Sequence, residues 1–220
     1  MNNETRLRIA SRAIGRAGLA HAYGHCSLRL DERRYLVSPS KPLGLVTPGD
    51  SCHILSIDDP IPEHILGEVR IHREIYRRRP DVGGIVRSMP PHVMTLAAHG
   101  VSPRPRHGFG AYFHPAPAFW DDPQLLRSDE AAAALAARFG EGRALLMRGN
   151  GAVVAGNSIE EAVVLTWYLE DMARVELAGR AAGLGQHPGL DADDCARRAT
   201  WSGAILERMF HYLASGDPEA

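Results

Sequence analysis

Apolar positions Leu7, Ala10, Ile14 and Ala17 recur at helical spacing over residues 4–20, with Arg8, Arg12 and Arg16 off that stripe. The pattern predicts an amphipathic helix, closed by Tyr23-Gly24. Short apolar runs at 26–30, 35–38 and 52–57 predict strands, separated by a loop in which Pro39 and Pro42 cannot donate to a ladder. A second helix is predicted over about 65–78 and stopped by Pro80, followed by a strand at 83–87. Pro90-Pro91 ends that strand and opens a helix through 92–99. Residues 100–124 carry Gly, Pro and aromatics without a period, which in a compact domain marks a functional segment or an interface.

The second half reads more plainly. An alanine-rich helix spans 128–139, and strands at 144–147 and 152–155 flank the turn Arg148-Gly149-Asn150-Gly151. Ser158 and Glu161 form a capping box, with Glu161 expected to bond back to Ser158, and start a long helix to about 179. A linker at 183–189 and one last helix at 193–214 complete the chain. Helices and strands intermingle without a repeat, so the expectation is a single α/β domain over 1–220, with 183–220 as a C-terminal helical extension.

Composition narrows the function. At 220 residues and 45% hydrophobic, the chain can bury a core without disulfide or metal support. Its 25 basic and 26 acidic residues balance to −1, which argues against nucleic acid and against an anionic membrane surface as partners. No apolar run approaches the roughly 20 residues of a membrane span, and the first residues lack a secretory pattern, so a cytoplasmic protein is expected. Cys26, Cys52 and Cys195 are an odd set with no pairwise spacing, hence no disulfide framework or zinc knuckle. Lys41 is the only lysine, and its turn offers no apolar shell to lower its pKa for Schiff-base chemistry.

Three segments in this order carry a resemblance: Tyr23-Gly24-His25-Cys26-Ser27, the run from Glu68 through His72, Ile75-Tyr76 and Arg79-Pro80-Asp81-Val82, and the stretch 145–156. Together they resemble the class II aldolase/adducin family, which includes fuculose phosphate aldolase and ribulose phosphate 4-epimerase. The resemblance spans about residues 5–180. It implies a three-layer α/β/α sandwich with a largely antiparallel sheet, and a homo-oligomer, a tetramer favoured, with sites between subunits.

The same resemblance exposes a departure. Metal-dependent members hold a divalent ion with two histidines of an H-x-H after the R-P-D-V strand and a third from N-H-G in the later hairpin. Here those positions read Arg87-Ser88-Met89 and Gly149-Asn150-Gly151, so all three ligands are missing. An arginine cannot give up its proton to bind a metal, and its charge repels one, so no metal cofactor is expected at that corner. A site rebuilt from His72, His92, His107 or His114, with metal-dependent aldolase or oxygenase chemistry, is the alternative.

Glu68 falls where the aldolases keep their acid/base, one helical turn from His72 in the predicted helix. Arg87 ends a buried strand, placed to grip a substrate carboxylate in a bidentate way or to bridge to Glu68. The phosphate cradle is altered: G-N-x-S becomes Gly24-His25-Cys26-Ser27, the loop S-G becomes Ser40-Lys41, and a serine pair becomes Leu66-Gly67. Losing hydroxyl donors argues against a phosphate monoester, and His25 becomes a candidate acid/base. The G-H-x-S form is also similar to decarboxylase-like members that act on small or aromatic carboxylic acids. The expectation is therefore a metal-independent lyase or decarboxylase for a small carboxylate. Catalytic candidates are Glu68, His25, Arg87 and Asn150; substrate-binding candidates are Ser27, Ser40, Lys41, Arg87, Tyr112 and His114. Phe109, Phe113, Phe119 and Trp120 could join Tyr112 in walling a flat substrate or in a subunit contact. A non-catalytic, adducin-like scaffold is the rival, favoured by the wholesale ligand loss.

Overall fold

The computed structural model describes residues 1–220. Its elements are α1 (Asn3–Arg16), β1 (His25–Arg29), β2 (Arg34–Val37), β3 (His53–Ser56), α2 (Arg70–Arg78), β4 (Gly84–Ser88) and α3 (Pro91–Ala98), then β5 (Ala118–Trp120), α4 (Asp129–Phe139), β6 (Ala144–Met147), β7 (Ala152–Gly156), α5 (Ile159–Ala181), α6 (Ala192–Arg198) and α7 (Ile205–Ala214). The strands form one sheet in the order β3-β2-β1-β4-β7-β6-β5. Every pairing is antiparallel except β5 with β6.

Side chains alternate across the strands, as a pleated backbone requires, and both faces are apolar. Cys26, Leu28, Leu36, Val86, Leu146, Ala152 and Val154 face one core shared with α1, α3 and α5. Tyr35, Val37, Ile85, Leu145, Met147, Val153 and Ala155 face a second core shared with α2 and α4. Covering both faces gives the expected three-layer α/β/α sandwich in one domain. By the same alternation His25, Ser27 and Arg87 point to the α2 side.

Two glycines set close approaches that matter for the site. A Cβ on Gly84 would fall 2.4 Å from the Ile159 backbone, so α5 can lie directly on β4 only over a glycine. Gly151 has φ +76°, and a Cβ there would meet the Ser88 carbonyl at 2.0 Å. The β6–β7 turn thus seats against the end of β4 and brings Asn150 beside Arg87.

Several expectations need correction. The helix predicted from 65 is a 3-10 turn, Gly67–Val69, followed by α2. Glu68 therefore sits in that turn and is not on a shared helical face with His72. The last predicted helix is two, broken near 199–204, where Ala204 takes φ 57°. The aperiodic segment supplies β5, too short for a strand signal to register. Glu161 caps α5 by accepting from the Asn157 amide at 2.8 Å rather than from Ser158, whose own hydroxyl accepts from the Glu161 amide. Arg8 and Arg12 were expected off the core, yet both are buried. They pair with Glu219 and Asp217, which follow α7, so the final residues are tied to α1 by charge as well as by apolar packing.

Candidate active site

The β1–β4 pairing aligns His25 with Arg87 across the strands, and Ser27 with Ile85. Arg87 and His25 are therefore cross-strand neighbours at the sheet end where the 3-10 turn before α2 and the β6–β7 hairpin meet. A cavity of about 640 Å³ opens there. It is lined by His25, Ser40, Lys41, Glu68, Arg87 and Asn150, with Tyr23, Leu66, Met89 and Leu125 as apolar walls and Arg127 at the side.

Its floor is a closed triangle of polar side chains. Arg87 Nη2 donates to Asn150 Oδ1 at 2.6 Å and pairs with Glu68 Oε2 at 2.8 Å. Asn150 Nδ2 donates to Glu68 Oε1 at 3.0 Å. The Arg87 side chain is only 3% exposed, and its Nε is buried without a partner. Burial presses the guanidinium below its usual value while the Glu68 charge supports it. The bridge between Arg87 and Glu68, one of the two readings open from sequence, is formed.

Beneath His25 runs a second polar chain. His25 Nδ1 lies 2.8 Å from His72 Nε2, His72 Nδ1 lies 2.6 Å from Ser27 Oγ, and Ser27 Oγ lies 2.8 Å from the Tyr76 hydroxyl. His25 lines the cavity, and its Nε2 is buried without a partner. Burial first, then His72 and Arg87, holds His25 well below the ordinary histidine range. Burial first, then Arg87, takes His72 down to about 3. Both rings are thus neutral at neutral pH.

A measurable pH effect follows. Between about 3 and 6.5 the unfolded chain protonates His72 while the folded chain does not, so stability rises with pH across that window and is lost on acidification. Each such ring contributes about 1.4 kcal/mol per pH unit below 6.5, or roughly 2 kcal/mol between pH 6.5 and 5. Urea titrations over that range are expected to show a shallower acid loss in His72→Gln than in the parent protein. Parallel pH curves would refute a neutral buried His72.

The structure separates the remaining sequence candidates. Lys41 lines the cavity but is held by Asp50 at 2.7 Å, and Ser40 lies at its edge, 3.5 Å from His53. Ser27 is fully buried and bonded to His72 and Tyr76, so it supports the floor and does not line the cavity. Tyr112 and His114 lie outside the cavity of their own chain. Tyr112 packs against Tyr168 and Trp201 and donates to the Thr200 carbonyl at 2.5 Å, while Phe109 stacks on Tyr168 at 4.3 Å. These rings join α5 to the C-terminal segment, where their apolar faces find each other.

The histidine set proposed for a rebuilt metal site is dispersed. His72 is in the buried chain, His92 is bound to Glu170 at 2.7 Å, His107 faces Asp171 and His114 is exposed. No three His, Cys, Asp or Glu side chains converge with metal-ligand geometry. At the three positions where the resemblance places histidine ligands stand a guanidinium, a thioether and an amide, and the one carboxylate beside them, Glu68, is paired with the Arg87 cation, so the set does not fit a divalent ion. Arg127 and the apolar wall escaped sequence reasoning because isolated residues in loops carry no periodic or spacing signal. Tyr76 was legible only as a member of the motif run from Glu68 to Val82, without a role.

Fold and site together define an aldolase-type α/β/α domain. L-Fuculose 1-phosphate aldolase from Glaciozyma antarctica superposes with a TM-score of 0.78 at 21% identity, covering 96% of this chain and 87% of that one. Residues 6–177 match the family described as Class II Aldolase and Adducin N-terminal domain, and the chain belongs to that family. Among its relatives, a 3,4-dihydroxyphthalate decarboxylase from Arthrobacter keyseri is 29% identical over 196 residues, spanning 80% of this chain and 78% of that protein. The decarboxylase tropJ from Talaromyces stipitatus is 30% identical over 200 residues, spanning 77% and 75%. No helix is long and apolar enough to cross a membrane.

Proposed function

We propose that this protein is a decarboxylase-type carbon–carbon lyase for an aromatic or other small carboxylate, in which the Arg87 guanidinium serves as the fixed cation of the pocket. The observation that carries the reading is the Arg87–Asn150–Glu68 triangle at the floor of an open, apolar-walled cavity. The relatives named as decarboxylases support the reaction class. Tyr23, Leu66 and Leu125, all exposed, offer a flat substrate apolar surface, and the exposed Arg127 offers a second anion contact.

On a hydroxylated ring, Glu68 or His25, the two acid/base candidates at the floor, first protonates the carboxylate-bearing carbon to give the ring-ketone form; on a β-keto acid the proton is added after CO2 has left. In either case loss of CO2 breaks the C–C bond and passes its electron pair through the π system to the neighbouring oxygen, where Arg87 and the Asn150 amide stabilise the charge. Glu68 is held at one oxygen by Asn150 and at the other by Arg87, and it can exchange its bond to Arg87 for one to substrate, so the bridge also keeps both charges paired between turnovers. In an oligomer, Tyr112 and His114 would act on substrate only from a neighbouring subunit.

The test is CO2 release from a panel of hydroxylated benzoates and phthalates, run with chelator-treated protein and with added zinc, manganese or iron. Activity on at least one substrate, unchanged by chelation and by added metal, is expected. Activity that depends on added metal refutes the role given to Arg87. Absence of turnover and of ligand-induced thermal stabilisation across the panel favours the scaffold alternative.

A further inference from the structure

The four-membered chain below His25 has a direction, and the direction assigns the histidine a role. A hydrogen-bond chain of two imidazoles and two hydroxyls can run either way, because each member can donate or accept. If it runs inward, His25 Nδ1–H donates to His72, His72 Nδ1–H donates to Ser27, and Ser27 donates to Tyr76. The Tyr76 O–H then has no acceptor, since Ser27 is the only partner of that hydroxyl and the side chain is 2% exposed. A buried donor without a partner is costly. If the chain runs outward, Tyr76 donates to Ser27, Ser27 to His72 Nδ1, and His72 Nε2–H to His25 Nδ1. Every donor of the three supporting side chains is then used, and the one N–H left over, His25 Nε2–H, is also buried and unpartnered, but it belongs to a residue that lines the cavity, where a bound substrate oxygen can accept from it, whereas nothing can reach the Tyr76 O–H.

We propose that Tyr76, Ser27 and His72 hold His25 as its Nε2–H tautomer, so that the ring presents a fixed, neutral N–H donor to the substrate oxygen that gains negative charge. This rests on the decarboxylase reading above and narrows it: the proton of the reaction is carried by Glu68, and His25 is a hydrogen-bond donor. Giving up the Nε2 proton would pass the deficit inward to Tyr76, whose hydroxyl burial pushes upward from its usual pKa. Arg87, the charge that faces both rings from β4, opposes a second positive charge on either. His72, Ser27 and Tyr76 are positioning residues, and His25 is the group that touches substrate.

The experiment is long-range 1H–15N correlation of protein labelled with 15N-histidine, with the two rings assigned by their loss in His25→Gln and His72→Gln. Two neutral rings protonated on Nε2 at pH 7 are expected. A His25 ring protonated on Nδ1, or charged, overturns the proposal, and this readout stands whether or not any decarboxylation is found. His72→Gln keeps a donor to His25 Nδ1 and an acceptor for Ser27, so it is expected to retain the Nε2–H form. His72→Met removes the donor, and His25 is expected to populate both tautomers. On a turned-over substrate, His72→Met should lower kcat by roughly tenfold or more with little change in KM, and His72→Gln should restore most of it. Equal kcat in the parent and His72→Met, with the tautomer altered, refutes the donor role.

Discussion

Replacing Arg87 with methionine is expected to lower decarboxylation by about 10²- to 10³-fold, the range seen when one preorganised donor to a developing oxyanion is removed. The side chain is buried at the end of β4, next to Asn150 and Glu68, whereas the other cavity cations are Lys41, held by Asp50, and the exposed Arg127 at the side. Methionine keeps the length and apolar stem, which limits the packing loss. Glu68 loses its charged partner, but it retains the Asn150 amide and faces the cavity, so a stability loss of only about 1–2 kcal/mol is expected. Glu68→Gln keeps the Asn150 contact and removes the proton carrier, so a loss of comparable size is expected there. Steady-state kinetics and urea melts on the two variants separate the effects. Full activity in both would sink the assignment of the floor triangle. The triple replacement Arg87→His, Met89→His, Asn150→His restores the donor types that the family resemblance places at this corner, and is expected to bind more zinc than the parent, read by metal analysis of both after dialysis.

The largest stability effect is expected far from the pocket, at Arg12. Its Nε and Nη2 each meet a different oxygen of Asp217 at 2.7 Å, and Nη2 also reaches Glu219 at 2.8 Å. Arg8 holds Glu219 at 2.6 Å, and Arg16 adds a contact to Asp217 at 3.1 Å. The Asp217 side chain is 0% exposed, so removing its main partner leaves a buried charge. Arg12→Met is expected to cost about 3–5 kcal/mol, whereas the double variant Arg12→Met, Asp217→Leu should recover much of that because no uncompensated ion remains. Chemical denaturation of the single and double variants measures the difference. Equal losses in both would mean that apolar packing of α7 on α1 and α5, and not the ion cluster, secures this end of the chain.

Much of the architecture was legible because burial writes a period into the sequence. The short runs of β1, β4 and β7, the proline stops at 80 and 90, the turn at 148–151 and the Ser158 cap each reflect a local constraint that acts within a few residues. The departures arose where no such constraint acts. The 3-10 turn at Glu68 and the broken C-terminal helix depend on packing against distant segments. The buried arginines of α1 also depend on acids more than 200 residues away.

The candidate site divides along the same line. Sequence alone determined that this protein has a two-sided sheet and helices to cover it. It also determined that an arginine and an asparagine stand at the metal corner, that Glu68 is retained and that His25 replaces the cradle asparagine, since residue identity at motif positions needs no coordinates. Only the tertiary structure decided that Glu68, Arg87 and Asn150 close a triangle, that Ser27 and His72 form a chain under His25, and that Tyr112 and His114 face away from the cavity of their own chain. Those facts come from cross-strand register and from the seating of a helix and a hairpin on the sheet. Such contacts are set by the direction in which side chains leave elements remote in sequence, and no local pattern encodes that direction.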